Sequence, residues 1–486
     1  MLFNSYVFVL AFLPICIIGY FLLNKLNYTA ANLFLFAMSV FFYGYLNPSY
    51  VLIIISSIVC NYFISAFLSK EGKKSTRKLI FILGIIFNLG LLGYFKYMDF
   101  FIKNINGIFR TDLALLKIAL PLGISFFTFQ QISYLADVYS GSTKKYPFIG
   151  YACYVCFFPQ LVAGPIVSHD EFFPQFLNSE NRKINFNNLG VGIYLFSLGL
   201  AKKVLIADIF GKAVDTAYSE YVSIESFNSL TAIFIVFAYA IQLYFDFSGY
   251  SDMAIGIGKM FNINLPINFD SPYKAHSIND FWSRWHLTLT RFFTKYVYIP
   301  LGGNRRGKAR TYVNIMIVFF LSGLWHGADW TFVFWGVCHG LLVVIGRMGK
   351  KAFDVIPKWI GRIYTFVVVS LLWVFFRSET FGQAFSLIRR VFTGGKGFIH
   401  SDYTKAFVVP EFAFVFYGRD IMSRIPSAFT VAYTIAACFI VFFMKNNEKD
   451  YMKKSFTVGK ALISAFLLMW CVFSFQNVST FLYFNF

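Results

Sequence analysis

Charged side chains are scarce in this chain of 486 residues. Asp, Glu, Lys and Arg make up 14% of the chain and hydrophobic residues 58%, whereas soluble proteins carry roughly 25% charged residues. So few charges cannot cover a water-facing surface, which argues against a soluble enzyme or a disordered scaffold. The apolar stretches run for about 16 to 20 residues without alternation, which argues against an outer-membrane barrel. The composition predicts an all-α polytopic membrane protein.

Cysteine is also infrequent in this chain. The seven cysteines lie within or beside apolar segments, so a secreted disulfide-linked module is disfavoured. Cys153 and Cys156 form a CxxC without a second ligand pair or a thioredoxin context, and we interpret them as small core residues.

Lys and Arg total 43 against 23 acidic residues, a net charge of +20. Because the basic residues cluster in short loops, this excess fits the positive-inside bias, and we expect no nucleic-acid partner.

Apolar runs of spanning or near-spanning length follow one another along the chain. They cover residues 6–23, 30–46, 50–68, 79–94, 118–138, 147–166, 189–209, 231–247, 312–330, 331–346, 363–376, 428–444 and 461–475. Because about 20 residues cross the bilayer core, we expect about 11 to 14 membrane segments, some of them tilted or re-entrant. The first run lacks a charged n-region and a cleavage site, so we expect it to stay as an anchor. Residues 281–301 are interrupted by charges and predict a helix that enters the protein interior.

Basic residues fill four loops. They are Lys70, Lys73, Lys74, Arg77 and Lys78; Arg305, Arg306, Lys308 and Arg310; Lys350, Lys351 and Lys358; and Lys445, Lys449, Lys453 and Lys454. Placing these loops in the cytoplasm puts the turn at 325–330 and the stretch 377–426 on the outer side. In that stretch Phe381, Phe385, Ile388 and Phe392 recur at helical spacing, which predicts an amphipathic helix on the membrane surface. We find no repeat or soluble domain and expect one membrane domain, 1–486.

Ionisable residues concentrate between positions 242 and 340. They are Asp246, Asp252, Asp280, Arg284, His286, His326 and His339. Such side chains are costly at membrane depth, so their density predicts a functional site. On a helix, Asp280 and Arg284 would pair at i,i+4, with Trp282 and His286 on a neighbouring face. Two interpretations of His286 stay open: an inert core histidine, or a histidine that points into a pocket walled by Trp282 and Trp285.

His326 lies between Gly323 and Gly327 and beside Trp325. Glycines lower helix propensity and allow close backbone approach. Imidazole is the usual general base for a hydroxyl, so His326 is the strongest catalytic candidate, with a purely structural role as the alternative. The histidines lack metal-ligand spacing, so we predict no metal and interpret His339 as a packed or supporting residue. His169, His276 and His400 lie in expected loops and receive no role.

Several segments resemble a known family. They are LPLGISFFTF at 120–129, FPQLVAGP at 158–165, YFDFSGYSDMAIG at 244–256, DFWSRWH at 280–286, YIPLGGNR at 298–305, LWHG at 324–327 and the aromatic end at 481–486. Together they resemble the membrane-bound O-acyltransferases, most closely the bacterial alginate O-acetyltransferase branch, with the motif-rich core at about 120–346. The resemblance implies a helical bundle around a central acyl-transfer tunnel. It also implies that His326 is the catalytic histidine and His286 a second functional position.

For this branch the resemblance implies a multi-pass protein of the bacterial cytoplasmic membrane. The donor would be acetyl-CoA, with no bound cofactor, and the acetyl group would pass outward to an exopolysaccharide such as alginate or cellulose. An extracytoplasmic acetyltransferase partner would take part. One departure from the family is that Thr294 and Lys295 stand where it often has Arg-Asp, so we carry no role onto those positions.

As a mechanism, His326 would take a proton from the acceptor hydroxyl, and His286 would orient the acceptor or stabilise the oxyanion. The predicted walls and supports are Asp246, Asp280, Trp282, Arg284, Trp285, Trp325, Asn304 and His339. Arg305, Arg306 and Lys308 would attract the donor's phosphates, although a plain positive-inside loop explains them equally well. One alternative is a D-alanyl transferase to teichoic acid, from the same family. Another is a transporter or flippase, but the inverted repeats typical of transporters are not evident.

Overall fold

The computed structural model describes residues 1–219, 223–409, 424–445, 452, 455–475 and 480–482. Within these ranges the regular elements are all helical, which confirms the all-α prediction. The α-helices are α1 (Leu13–Leu26), α2 (Tyr28–Gly44), α3 (Ser49–Leu68), α4 (Lys74–Leu92), α5 (Met98–Phe109), α6 (Ile124–Ser140), α7 (Phe148–Cys156), α8 (Phe158–Leu161), α9 (His169–Phe176), α10 (Phe186–Ala201), α11 (Asp208–Tyr218), α12 (Ser229–Met260), α13 (Ile278–Trp282), α14 (Leu287–Phe293), α15 (Gly307–His326), α16 (Trp330–Met348), α17 (Lys350–Phe353), α18 (Lys358–Arg377), α19 (Phe381–Thr393), α20 (Ser401–Thr404), α21 (Pro426–Phe442) and α22 (Val458–Phe473).

Shorter helical segments join some of these helices. The π-helical ones are Phe8–Phe12, Gly93–Tyr97, Lys202–Ala207 and Thr294–Tyr298, and the 3₁₀ turns are Ser179–Arg182, Ile224–Ser226, Pro272–Lys274 and Lys405–Phe407. In the described ranges, seven helical segments are long and apolar enough to cross a membrane. They are Phe8–Leu26, Ser49–Leu68, Lys74–Phe109, Phe186–Tyr218, Ser229–Met260, Trp330–Met348 and Lys358–Arg377. Helices α2, α21 and α22 are shorter and apolar. The count of about 11 to 14 segments stays a prediction.

Helix α12 forms the centre of the bundle, and most of its side chains are buried. It packs closely along α10 because glycines face each other. A Cβ added to Gly199 would lie 2.5 Å from the Gly249 carbonyl oxygen, and one added to Gly256 would lie 2.7 Å from the Gly192 carbonyl oxygen. Small residues at such positions let helix backbones approach in membranes. This contact fixes the central helix that carries the YFDFSGYSDMAIG segment.

One end of the bundle carries three loops with basic residues. We call the end that carries the loops 69–73, 299–306 and 349–357 the basic end, after their lysines and arginines. Lys274 lies at this end and donates from Nζ to the Phe443 carbonyl, 3.2 Å away. At the far end, the Trp330 indole donates to Asn104 at 2.8 Å. Which end faces the cytoplasm stays a prediction, based on the positive-inside bias.

Residues 281–301 do not form the single helix that we predict. Helix α13 ends at Trp282, and α14 begins at Leu287. Between them His286 adopts a left-handed conformation, with φ of 45°. A helix cannot continue through such a residue, because left-handed backbone breaks the right-handed hydrogen-bond pattern. The prediction that this segment enters the interior is confirmed, since Leu289 and Phe292 of α14 are buried.

The predicted amphipathic helix is present as α19, at the far end. Its buried face differs from the predicted stripe: Ala384 and Leu387 are buried, whereas Phe385 is 52% exposed and Phe392 is 73% exposed. Phe381 and Ile388 of the predicted stripe are partly buried and pack against the core, so the stripe is divided between the core and the exposed side. Part of the stretch 377–426, three lysines of the last basic loop and the final four residues lie outside the described residues.

Candidate active site

His326 is the last residue of α15, where the helix meets the start of α16. A Cβ added to Gly323 would lie 2.4 Å from the Phe332 carbonyl oxygen, and one added to Gly327 would lie 2.2 Å from the Phe332 ring. Both glycines therefore permit a close approach of the two helices, as the sequence predicts. The consequence is that His326 is held at a tight helical corner.

Aromatic side chains surround His326, which is 2% exposed. Its ring centroid lies 5.2 Å from that of Trp335, 5.2 Å from that of Phe376 and 4.9 Å from that of Trp325. Such a cage excludes bulk water and limits the orientations of the imidazole. A buried, oriented imidazole can act as the general base toward a hydroxyl group that enters the cage.

The structure brings His286 to His326. Their ring centroids are 6.3 Å apart, although the residues are 40 positions apart in the sequence. His286 is 1% exposed and packs against Phe247 at 4.8 Å and Trp325 at 5.9 Å. The two histidines selected from the sequence therefore share one site, with Trp325 beside both.

Asn268 holds the turn that presents His286. Its carbonyl accepts from the Leu287 N–H at 3.0 Å, and its side-chain oxygen accepts from the Thr288 hydroxyl at 2.7 Å. Its amide nitrogen donates to Ser251 Oγ of α12 at 3.2 Å. A left-handed non-glycine residue is strained, and surrounding bonds of this kind are needed to keep it. The sequence analysis missed Asn268, because nothing local to it indicates a contact with residues 287 and 288.

His339 is buried behind the aromatic cage of His326. The Trp282 indole N–H donates to its Nδ1 at 3.2 Å, so Nδ1 is an acceptor and the proton of the neutral ring resides on Nε2. The His339 ring lies 5.0 Å from Trp335, the same indole that packs against His326. This arrangement fits the predicted supporting role, in which His339 fixes a wall of the cage.

The predicted pocket walls around His286 need correction. Trp285 is fully buried and packs away from His286, 5.0 Å from Phe269 and 5.0 Å from Trp373. Trp282 contacts His339 and lines a cavity of about 310 Å³, but it does not wall His286 itself. The walls are Phe247 and Trp325 instead. The reason is the left-handed turn at His286, which removes that residue from the helical face it was expected to share with Trp282.

Two predicted carboxylates belong to buried ion pairs. Asp246 Oδ1 lies 2.6 Å from Lys203 Nζ, which also lies 2.8 Å from Asp208. Asp252 pairs with Lys202 at 2.5 Å. These pairs join α12 to the segment that follows α10. Their geometry therefore fits the expectation that Asp246 holds the walls and does not react.

The predicted Asp280–Arg284 pair is present, with Nε and Oδ1 2.7 Å apart. It lies at the basic end, where His276 Nδ1 also contacts Asp280 at 2.8 Å and Arg284 donates to the Asp270 carbonyl at 3.2 Å. The pair braces the segment between α13 and α14 from outside the cage, because the turn at His286 separates it from the cage. That Asp280 and Arg284 hold the walls of the site and do not react stays a prediction.

Asn304 does not line the pocket either. It is an exposed loop residue just before α15, and His326 is at the other end of that 20-residue helix, about 30 Å away at 1.5 Å per residue. Arg305, Arg306 and Lys308 are exposed in the same region. They therefore lie at the basic end and not beside His326, and a role toward a donor's phosphates stays a prediction.

Two cavities approach His326 from opposite ends. The basic-side cavity, of about 310 Å³, is lined by Asn279 and Arg347 toward the basic end and by Ser322, one helical turn before His326. The far-side cavity, of about 290 Å³, is lined by Lys96 and Asp329. A smaller space of about 30 Å³ contacts Lys96 and His326 together. The sequence analysis missed Lys96 and Arg347, although a single lysine following an apolar run is the kind of signal that marks such a residue.

The chain is similar to proteins of a known family. Residues 137–386 match the membrane-bound O-acyltransferase family. A peptidoglycan O-acetyltransferase of Helicobacter pylori is 40% identical over 100% of this chain and 98% of its own length. A probable alginate O-acetylase of Pseudomonas aeruginosa is 36% identical over 81% of this chain and 75% of its own. A teichoic acid D-alanyltransferase of Streptococcus thermophilus is 29% identical over 49% of this chain and 59% of its own. The chain therefore belongs to the membrane-bound O-acyltransferase family and is a multi-pass membrane acyltransferase.

Proposed function

We propose that this protein transfers an acetyl group from acetyl-CoA, on the cytoplasmic side of the bacterial cytoplasmic membrane, to hydroxyl groups of a cell-surface glycan. The observation that carries the proposal is the position of His326. It is buried at the end of α15, with one cavity toward the basic end and another toward the far end. A donor and an acceptor that come from opposite sides would meet at this residue.

In the reaction, the acceptor hydroxyl attacks the thioester carbonyl while His326 takes the hydroxyl proton. The carbon–sulfur bond then breaks, and the thiolate of CoA leaves with the proton from His326. General-base assistance of this kind contributes about 10²- to 10⁴-fold in rate. His286, with its ring 6.3 Å from that of His326, is placed to orient the acceptor or to stabilise the oxyanion.

The basic-side cavity supports the choice of donor. Its lining combines apolar walls with polar groups of Asn279, Ser283 and Thr290, which suits an amide-containing pantetheine arm. The exposed Arg347 stands on the same lining, and the basic loop 299–306 adjoins it through Tyr298. Positive charge at a narrow mouth raises the local concentration of an anionic ligand, here the phosphates of CoA.

The relatives support a glycan acceptor. The peptidoglycan O-acetyltransferase aligns with nearly the whole length of both proteins, and several alginate O-acetylases are 34% to 36% identical. The teichoic acid D-alanyltransferases are 29% and 26% identical over about half of the chain. We therefore place peptidoglycan first and an alginate-like exopolysaccharide second. Cellulose has no support among these relatives, and D-alanyl transfer has less.

Acetyl-CoA turnover tests the proposal. Purified protein in detergent should release free CoA from acetyl-CoA, and release should accelerate when glycan or a partner acetyltransferase is added. Cells that lack the protein should lose ester-linked acetate from peptidoglycan or from the secreted polysaccharide, and the fraction that loses it identifies the acceptor. Solute uptake into vesicles without thioester consumption would instead identify a transporter. Turnover only with a D-alanyl carrier protein would identify the teichoic acid reaction.

Arg347→Ala should raise the KM for acetyl-CoA and leave kcat nearly unchanged. The side chain would attract the donor's phosphates equally in the ground state and the transition state, so its loss removes uniform binding. Steady-state CoA release at several donor concentrations measures both constants. Arg362→Ala is the matched control, since Arg362 is an exposed arginine at the basic end that does not line this cavity. An equal rise in KM for both variants would contradict a specific role for Arg347.

We also propose that α19 receives the extracytoplasmic acetyltransferase partner. Phe385 and Phe392 are exposed beside Arg389, and the helix lies at the far end, where an outward acceptor would be. Reversing Arg389 and Arg390 to Glu should reduce glycan acetylation in cells but preserve CoA release by the purified protein. Lys396→Glu, at an exposed position after the helix, is the control. An equal loss in both assays would show that α19 supports the fold and is a plain membrane-surface helix.

A further inference from the structure

The C-terminal end of α15 raises a hydrogen-bonding problem. The last four carbonyls of a helix have no partner within it, and here they belong to residues 323–326. The Gly327 N–H reaches the Gly323 carbonyl at 3.3 Å, which leaves three carbonyls next to the catalytic ring. Backbone groups at membrane depth must be satisfied within the protein, because lipid offers no partners.

Two adjacent side chains of another helical segment donate hydrogen bonds to all three of these carbonyls. Tyr97 donates from its hydroxyl to the Leu324 carbonyl at 2.8 Å. Lys96 donates from Nζ to the Trp325 carbonyl at 2.6 Å and to the His326 carbonyl at 3.1 Å. We call these two side chains the α15 clamp. Their contacts are with backbone atoms, so they act on the position of the helix end and not on a single rotamer.

The π-helical segment Gly93–Tyr97 places the clamp. It interrupts the long helical stretch Lys74–Phe109, between α4 and α5. Such π-turns occur frequently at functional sites, where the extra residue redirects neighbouring side chains. Here it lets the consecutive residues Lys96 and Tyr97 both contact one helix end.

The positive charge of Lys96 also favours its position at the end of α15. The C-terminus of a helix carries a partial negative charge, and a cation at that position is favourable. The Lys96 ammonium also lies 5.9 Å from the centre of the Trp325 ring, which packs against both His326 and His286. In addition, Lys96 lines the far-side cavity and the small space that contacts His326. The clamp thus connects the acceptor side of the site with the catalytic ring.

We propose that Lys96 is a positioning residue for acetyl transfer, which acts through the backbone of residues 325 and 326 and is assisted by Tyr97. The clamp holds His326 at the angle at which its imidazole reaches the acceptor hydroxyl. This inference rests on the proposed function of His326. The order that the clamp gives to the backbone at the end of α15 does not depend on which acyl group is transferred.

Lys96→Met tests the clamp by removing the ammonium while keeping the length of the side chain. We expect kcat for CoA release to fall on the order of 10²-fold, the loss that a small misplacement of a catalytic group produces, with KM for acetyl-CoA little changed. Hydrogen–deuterium exchange should rise in peptides that cover residues 322–330 and remain unchanged in peptides from α12. Lys96→Arg keeps a cation at the helix end and should recover much of kcat and of the protection.

Lys103→Met is the matched control, because Lys103 lies on α5 of the same helical stretch and is exposed. It should leave both exchange and turnover unchanged. If Lys96→Met does not yield folded protein, Tyr97→Phe removes a single bond of the clamp. It should then show a smaller rise in exchange at the same peptides and a smaller loss of kcat.

The outcomes separate the clamp from the proposed function. Unchanged exchange at residues 322–330 in both clamp variants would overturn the clamp, whatever the activity. Increased exchange with normal kcat would show that the clamp orders the helix end without positioning a catalytic group, and would overturn the positioning role. Full turnover by a His326→Ala variant would overturn the proposed function, while the exchange measurement would still decide the contacts of Lys96.

Discussion

His326→Ala is expected to abolish acetylation of the glycan and to reduce CoA release to the background rate, while folded protein remains in the membrane. The expected loss includes the general-base contribution of about 10²- to 10⁴-fold. The substitution removes a ring from a cage formed by Trp325, Trp335 and Phe376, so it leaves a cavity. His326→Gln therefore serves as a second variant, because it fills more of the space and cannot act as the base.

The measurement pairs CoA release with size-exclusion profiles of the detergent-solubilised variants. His400→Ala is the control, since His400 is an exposed loop residue at the far end. His286→Ala should lower kcat less than His326→Ala, because its ring would orient the acceptor or stabilise charge without taking the proton. Near-normal acetylation by stably folded His326→Ala protein would refute the assignment of the base.

The helical class and the pair of histidines follow from sequence because their signals are strong. Scarce charge and long apolar runs predict membrane helices, and ionisable residues inside such runs predict a site. The glycines around His326 predict a close helix contact, which the packing against Phe332 confirms. Each of these inferences uses only the type of a residue and its neighbours in the sequence, so each can be made without knowing the fold.

The errors concern relations between distant segments. The helical wheel that places His286 beside Trp282 assumes an unbroken helix, whereas Asn268, from a preceding loop, holds a left-handed turn there. Asn304 belongs to a family motif, but it lies just before the start of α15, whereas the cage is at the end of that helix. Lys96 contacts residues more than 220 positions further along the chain. No local pattern encodes such a contact, because only the packed bundle brings a lysine to the end of another helix.

Lys203→Met is expected to cause the largest loss of stability among the variants considered. Lys203 is 2% exposed and lies between the carboxylates of Asp246 and Asp208, at 2.6 and 2.8 Å. Its ammonium also donates to the Thr480 carbonyl at 3.1 Å. Removing one member of a buried ion pair typically costs about 3–5 kcal/mol, because the remaining charge is left uncompensated. Here the carboxylates of Asp246 and Asp208 would both lose the cation that lies between them.

The fraction of protein that remains monodisperse after stepwise heating measures this loss. Lys183→Met is the matched control, because Lys183 pairs with Glu180 at an exposed site, where both side chains are more than 70% accessible. Such a surface pair contributes about 0–1 kcal/mol, so the control should unfold near the wild-type temperature. If Lys203→Met unfolded at that same temperature, the buried ion pair would have no structural role.

The triple variant Lys203→Met, Asp208→Asn, Asp246→Asn distinguishes a structural network from a catalytic one. It removes all three charges together, so no uncompensated charge remains, and it should recover much of the lost stability. The residue after Asp246 is Phe247, whose ring packs 4.8 Å from His286. The site therefore requires that α12 stays folded here, and it does not require the charges of the network. A triple variant that folds should therefore also transfer acetyl groups. If it folds and is inactive, the network of Lys203, Asp208 and Asp246 takes part in the reaction, and its assignment to a purely structural role is wrong.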